Sequence, residues 1–236
     1  MRTLEACLRT GARELGIPLS EQAAADFCRY YDFLLEKNRV MDLTAVSGEE
    51  DTARRHFLDS LSLLRCGEAL SGARIIDVGS GAGFPGLPLL LAQPDMQLTL
   101  LDSLGKRVDF LRELTALLGR DVQCIHARAE EQAKLEGWRE SFDYAVSRAV
   151  ARLSPLCELC LPFVRPGGAL LAMKARDCAE EVAEAAHAIE ALGAELERCV
   201  EVTVAGVPRS ILVIRKTAPT PAEYPRRFAK IQKKPL

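Results

Sequence analysis

No apolar run in this chain approaches the roughly 18 residues that a membrane span requires. The longest, Leu87 to Ala92, contains Pro88 and stops at Gln93. The first residues carry charges at Glu5, Arg9, Arg13 and Glu14 and lack the apolar stretch of a secretory signal, so the expected location is cytoplasmic. There is no internal repeat. A content of 48% hydrophobic and 27% charged residues excludes disorder over most of the chain. The histidines His56, His126 and His187 are scattered, and Cys157-x-x-Cys160 has no second ligand pair, so no metal site is expected. The eight cysteines are irregularly spaced in a chain long enough to bury a core without staples. On the apolar segment SPLCELCLPF, Cys157 and Cys160 read as small buried hydrophobes.

Net charge is also nearly absent, at −2 over 236 residues, and by itself points to no anionic partner. Its distribution is uneven. From Lys216 to Leu236 stand six basic residues (Lys216, Arg226, Arg227, Lys230, Lys233, Lys234) and one acid, Glu223. A basic tail on an acidic body reads as an electrostatic arm for a polyanion. Four prolines (Pro219, Pro221, Pro225, Pro235) predict that this tail is extended.

What is present falls into three segments: 1–66, 67–216 and 217–236. The first reads as helical. Leu4, Leu8 and Leu15 share one face, Gly16 and Pro18 end that helix, and Ser20 caps the next. Phe57, Leu58, Leu61 and Leu64 mark a third helix over Glu50–Leu64. From Ala73 short β-type runs alternate with helical ones. The predicted strands are Arg74–Val78, Gln97–Leu101, Asp121–His126, Tyr144–Ser147, Ala169–Met173, Leu196–Val204 and Ser210–Arg215. Such alternation implies βαβ units and a parallel sheet covered on both faces. The last two strands are joined around Gly206–Pro208, too short a link for a parallel crossover, so the final strand must run antiparallel.

The strongest local signal is IIDVGSGAGFPG, residues 75–86. A strand ends, a glycine-rich turn follows, and a helix begins, whose first amides are expected to face a ligand. In an open parallel sheet this loop lies at the carboxyl ends of the strands, where ligands bind. Gly81, Gly83 and Gly86 fit the dinucleotide pattern G-x-G-x-x-G. The offset frame Asp77-x-Gly79-x-Gly81-x-Gly83 fits equally, and its acid suits the cationic S-adenosylmethionine better than a pyrophosphate. Asp102 ends the second strand, where a carboxylate can take two hydrogen bonds from ribose hydroxyls. Ala129 and Glu130 follow the third strand, where an adenine edge is expected, and Arg148 ends the fourth at the site mouth. The antiparallel seventh strand favours the methyltransferase frame: an α/β fold of the class I, Rossmann-like, S-adenosylmethionine-dependent type with a helical N-terminal extension.

Within that class the chain resembles the family called glucose-inhibited division protein B, or RsmG. The resemblance rests on NRVMDLTAV (38–46), HFLDSL (56–61), DVGSGAGFPGLPL (77–89), LLDSLGKRVDFL (100–111), RAE (128–130), SRAVA (147–151) and YPRRFAKIQKKPL (224–236). It implies methylation of N7 of a guanine in 16S ribosomal RNA, with the small ribosomal subunit as partner and no membrane. It also implies a cofactor site of Asp77, Gly79, Gly81, Phe84, Asp102, Ser103, Ala129, Glu130 and Arg148. Arg148 could equally hold RNA, together with Lys174 and Arg209, and with Arg226, Arg227, Lys230, Lys233 and Lys234 in the tail. His56 and Asp59 could line the entrance, or lie on a helix that packs against the sheet. No residue is expected to act as a general base, and the protein is expected to be a monomer. The chain has no (N/D)PP(Y/F) segment and no Pro-Cys dipeptide, in keeping with N7 chemistry. Two departures from the family pattern stand out: Asp42 where asparagine is usual, and Ala175 where glycine often follows Lys174. The alternatives are a methyltransferase acting on another acceptor, a nicotinamide-dependent oxidoreductase, and a cofactor-binding factor without turnover.

Overall fold

The computed structural model describes residues 1–236. Seven strands form one sheet: β1 (Arg74–Val78), β2 (Gln97–Asp102), β3 (Gln123–His126), β4 (Phe142–Arg148), β5 (Val164–Ala175), β6 (Ala194–Val204) and β7 (Val207–Lys216). Their spatial order is β3-β2-β1-β4-β5-β7-β6. The β1–β2, β1–β4, β2–β3 and β4–β5 pairs are parallel, and β7 runs antiparallel to both β5 and β6. The β6–β7 link is tighter than the sequence suggested. Val204 pairs with Val207, and the two turn residues, Ala205 and Gly206, both have positive φ. That is the two-residue hairpin geometry that matches strand twist. β5 is longer than expected because it pairs with β4 from Val164 and with β7 as far as Ala175.

Helices cover both faces. On one lie α1 (Thr3–Glu14), α2 (Glu21–Met41), α5 (Gly86–Ala92) and α6 (Gly105–Leu117). Ser20 caps α2 by accepting from Ala23 N at 3.0 Å. Asp42 ends α2 in the left-handed region, with φ 47°. It is therefore a C-terminal cap position, where asparagine is commoner than aspartate. Between α2 and β1 the chain forms a short α3 (Glu49–Thr52), a π-helical stretch Ala53–Leu58, α4 (Asp59–Leu61) and a 3-10 turn Ser62–Arg65. The sequence periodicity predicts one regular helix there. The wider π turn is the departure, and such turns recur at functional sites.

The N-terminal helices share one core with the sheet. A cluster of 40 buried residues runs from Leu4, Leu8, Phe27, Tyr30 and Phe57 to Ile75, Leu100, Leu171 and Val213. A second cluster of 25 fills the opposite face, under α7 (Ala129–Gln132), α8 (Leu153–Cys160) and α9 (Ala179–Ala191). Cys157 and Cys160 sit within it, wholly buried, and burial pushes the Cys157 thiol up to about 12. No helix is long and apolar enough to cross a membrane.

The tail corrects the expectation of an extended arm. Residues after Lys216 fold back across the second face and end in α10 (Phe228–Lys233), whose Ile231 is fully buried. Lys216 is itself inside, held by Leu161 O at 3.0 Å, Thr220 Oγ1 and Glu140. Burial pushes its ammonium down to about 8. Arg139 donates to the carbonyls of Thr220, Pro221 and Tyr224. Leu236 O accepts from Ser154 Oγ at 2.9 Å, so the tail climbs α8 to its first turn.

Candidate active site

At the carboxyl ends of β1 and β2 the glycine-rich loop rises over a cavity of about 380 Å³, lined by Gly79, Ser80, Gly81, Ala82, Phe84, Asp102 and others. Gly79 has φ +76°, and a Cβ there would lie 2.5 Å from Val150 Cγ2, on the opposite wall. A side chain at this position is thus excluded both by backbone and by space. The loop is pinned from below. Gly79 N and Ser80 N both donate to Leu101 O, at 2.8 and 3.1 Å. Gly81 N donates to Asp102 Oδ2 at 2.9 Å, and Leu104 N to Asp102 Oδ1 at 2.9 Å. Asp102 is thereby fixed at the strand tip. Each of its oxygens keeps a further lone pair for a ligand hydroxyl.

Asp77 supports the loop and does not face the cavity. It lies beneath the loop with no exposed surface. Its Oδ2 accepts from Gly86 N at 2.8 Å, so the first amide of α5 is taken by protein and not offered to a ligand. Its Oδ1 has no partner. Desolvation pushes this carboxyl up to about 7, against the opposing pull of the Gly86 amide. Asp77 therefore shapes the loop from behind it, through the Gly86 amide.

The N-terminal helices buttress the same loop. Tyr30, on α2 and fully buried, donates its hydroxyl to Ala82 O and stacks on Phe84 with ring centroids 5.5 Å apart. His56 stacks on Phe84 at 4.5 Å, and the Arg148 guanidinium lies 4.9 Å from the same ring. Sequence reasoning took Tyr30 only as part of an apolar helix face, since nothing local marks a hydroxyl 52 residues from its acceptor.

A second cavity, of about 460 Å³, adjoins the first and shares His56, Arg148 and Ala149 with it. Its other walls include Arg55, Asp59, Met173, Lys174 and Arg209. The π-helical stretch and α4 put His56 and Asp59 on the wall, and the tips of β4, β5 and β7 bring Arg148, Lys174 and Arg209 to meet them. Arg148 donates to Asp59 Oδ2 at 2.8 Å and to Arg55 O at 3.0 Å. Arg209 Nε donates to Asp59 Oδ1 at 2.6 Å. Lys174 donates to Ala151 O at 3.0 Å and pairs with Glu181 at 2.6 Å. Desolvation and the Arg148 charge press the His56 imidazole down to about 4. His56 Nδ1 lies 3.2 Å from Arg148 Nη2, and Nε2 lies 2.7 Å from Thr44 Oγ1. Nδ1 also lies 3.1 Å from Arg55 O, so it faces a donor and an acceptor at once.

The remaining expected residues divide. Ser103 lines the first cavity. Ala129 and Glu130 do not: Ala129 is buried in the second core, and Glu130 pairs with Arg128 at 2.7 Å. Arg226 is also spent internally, paired with buried Glu158 at 2.6 Å. Arg227, Lys230, Lys233 and Lys234 are exposed. Arg107, on the first cavity and 3.7 Å from Asp102, was not singled out from sequence, although its place one turn into the helix after an acidic strand tip is a usable signal. Arg55 was likewise overlooked beside His56.

The loop, Asp102 and the adjoining cavities give a ligand cleft at the strand tips of a sheet with an antiparallel seventh strand. Solved structures share that architecture. A methyltransferase from Pyrococcus furiosus superposes with TM-score 0.57 over 81% of this chain and 98% of its own, at 12% identity. TrmN from Thermus thermophilus does so with TM-score 0.52 over 70% of this chain and 53% of its own, at 20% identity. These likenesses concern the fold. Sequence relatives go further. Ribosomal RNA small subunit methyltransferase G of Lachnoclostridium phytofermentans is 44% identical over 229 residues, covering 96% of this chain and 95% of that protein. The protein of the same name from Pelotomaculum thermopropionicum is 42% identical, covering 100% of both. The profile of the GidB family, described as rRNA small subunit methyltransferase G, matches residues 23–211. With four-fifths of its length matched by the profile and relatives 44% identical over nearly the whole chain, the chain belongs to the rRNA small subunit methyltransferase G family.

Proposed function

We propose that this protein transfers the methyl group of S-adenosylmethionine to N7 of a guanine in the 16S rRNA of the small ribosomal subunit. The observation that carries this reading is the pair of adjoining cavities at the strand tips, one shaped for a nucleoside and the other rimmed by cationic side chains. The residues of the first suit S-adenosylmethionine. Asp102 has free lone pairs for two ribose hydroxyls, the glycine loop allows close approach, and the Asp102 carboxylate favours a cation nearby. When bound, that cofactor supplies an electrophilic methyl group on a positively charged sulfur. Gly79, Gly81 and Phe84 would face its methionine half, and Asp102 and Ser103 its ribose.

Guanine N7 carries a lone pair and no proton, so the transfer requires no general base. His56 fits that chemistry. With its imidazole held down to about 4, it is neutral and a poor base, in keeping with a transfer that takes up no proton. The protein's work is then alignment, which can account for several powers of ten in rate when the reacting atoms are held about 3–3.5 Å apart. Arg148, Lys174 and Arg209 would hold the acceptor nucleotide. Arg227, Lys230, Lys233 and Lys234 would meet phosphates nearby, since the tail ends at the first turn of α8, just after the Ala149–Val150 wall of the cleft. The acidic body suits a compact ribonucleoprotein better than naked RNA. The reading needs only one copy of the chain, because both cavities are lined by one chain.

The test uses S-adenosylmethionine with a labelled methyl group, incubated with the protein and small subunits lacking guanine-N7 methylation. Deproteinised 16S rRNA runs in parallel. Label recovered from the rRNA as 7-methylguanine is the expected result. Cofactor binding without label in rRNA would point to another acceptor.

A further inference from the structure

Two guanidinium groups share one carboxylate at the boundary of the two cavities. Asp59 is 5% exposed and gives one oxygen to each: Oδ2 to Arg148 at 2.8 Å and Oδ1 to Arg209 at 2.6 Å. No other anionic side chain pairs with either arginine. The two come from different strands, β4 and β7, separated in the sheet by β5. Their mutual repulsion at this depth would drive them apart if the carboxylate were absent.

Arg148 is the residue whose place matters most. It lines both cavities, lies over the Phe84 ring and donates toward His56 Nδ1. Its remaining restraint is the Arg55 carbonyl, which belongs to the π-helical stretch. The π turn and Asp59 thus grip the guanidinium from one side while Phe84 and His56 take its face and edge. Thr44 extends the chain of contacts, bonding His56 Nε2 and accepting from Val46 N at 3.0 Å. A loop after α2, a widened helical turn and two strand tips are thereby tied to one guanidinium.

We infer that Asp59 is a positioning residue: by splitting its carboxylate between Arg148 and Arg209 it fixes the Arg148 guanidinium across the mouth between the cofactor cavity and the acceptor cavity. Asp59 does not touch the reacting atoms in this account. It sets the distance at which Arg148 meets the acceptor nucleotide. The inference rests on the methyl-transfer reading, because it takes the second cavity as the acceptor site.

Asp59→Asn keeps size and one acceptor oxygen but turns the other end into a donor aimed at a guanidinium. We expect kcat for methyl transfer to undermethylated small subunits to fall about a hundred-fold, the loss that a misplacement of about 1 Å can cause. Affinity for S-adenosylmethionine, measured by calorimetry, should change less than about ten-fold, since Asp102 and the loop remain pinned. Asp59→Glu, which keeps the charge, should recover at least ten-fold of the lost rate. A crystal structure of Asp59→Asn should show Arg148 moved off the Phe84 ring. An active wild type with Asp59→Asn within two-fold of it would overturn the inference, and so would an unmoved Arg148 whatever the activity. A wild type that binds cofactor yet labels no rRNA would instead overturn the functional reading, leaving the crystal structure to decide whether Asp59 positions Arg148.

Discussion

Three N–H groups of Arg226 donate to Glu158 of α8: the backbone amide at 2.7 Å, Nε, shared between the two carboxylate oxygens at 2.9 and 3.1 Å, and Nη2 at 2.6 Å. Glu158 is 1% exposed. The first arginine of the basic tail is therefore a structural tether and not a free RNA contact. Glu158→Ala leaves a guanidinium with little exposure and no counter-charge. Breaking a buried pair in this way costs about 3–5 kcal/mol. For a chain of this length we expect a fall in melting temperature of roughly 10 °C, measured by calorimetry. A change under about 2 °C would mean that the tail is only loosely laid on the body.

The exposed tail cations should behave differently. Lys230, Lys233 and Lys234 are on the surface and make no salt bridge among those of the fold. Replacing all three with alanine should leave melting temperature and S-adenosylmethionine affinity unchanged. Binding to the small subunit should weaken, and the slope of log K against log salt should drop by about 2–3, one counterion contact per lysine. A uniform loss of cofactor affinity would instead tie these lysines to the fold of the cleft.

The tail also marks the limit of what the sequence could say. The strand set, the antiparallel β7, the Ser20 cap and the glycine loop were all legible, because each follows from local pattern or from a link too short for a crossover. The fates of Arg226 and Lys216 were not. Net positive charge in a proline-containing terminus reads the same whether its cations face water or find Glu158 and Glu140 across the fold. The same gap separates Asp59 as a named motif residue from Asp59 as the shared partner of Arg148 and Arg209, 89 and 150 residues away. The π turn that makes this meeting possible leaves no mark in the helical periodicity of Phe57, Leu58, Leu61 and Leu64.

Asp77 and His56 should give stability opposite dependences on pH. The His56 pKa falls on folding from an ordinary 6.5 to about 4, so the unfolded chain binds more protons between these values, and stability rises with pH across that window. The Asp77 pKa rises from 3.8 to about 7, so the folded chain binds more protons there, and stability falls as pH rises through the window. In the wild type the two slopes nearly cancel from pH 4 to 6.5. Asp77→Asn removes the falling limb. Relative to wild type, we expect this variant to be about 2 kcal/mol more favoured at pH 7.5 than at pH 5, at 1.36 kcal/mol per pKa unit. Urea unfolding at the two pH values measures it. No change with pH would mean that Asp77 keeps an ordinary carboxylate pKa in the fold.

Tyr30 links the N-terminal helices to cofactor binding, and Tyr30→Phe separates that role from packing. The ring stays stacked on Phe84 and the buried volume is nearly kept, while Ala82 O loses its donor. An orphaned buried carbonyl costs about 1–3 kcal/mol. The loss falls on the loop itself, between Gly81, pinned to Asp102, and Gly83, whose φ of +100° leaves no room for a Cβ beside the Tyr30 hydroxyl. We therefore expect S-adenosylmethionine affinity to fall about five- to ten-fold in Tyr30→Phe, with a modest loss in melting temperature. Gly79→Ala should be more severe for binding, because its Cβ would enter the cleft against Val150. If Tyr30→Phe melts lower yet binds the cofactor as tightly as wild type, the hydroxyl holds the core and not the loop, and the N-terminal helices contribute to the cleft only by covering the sheet.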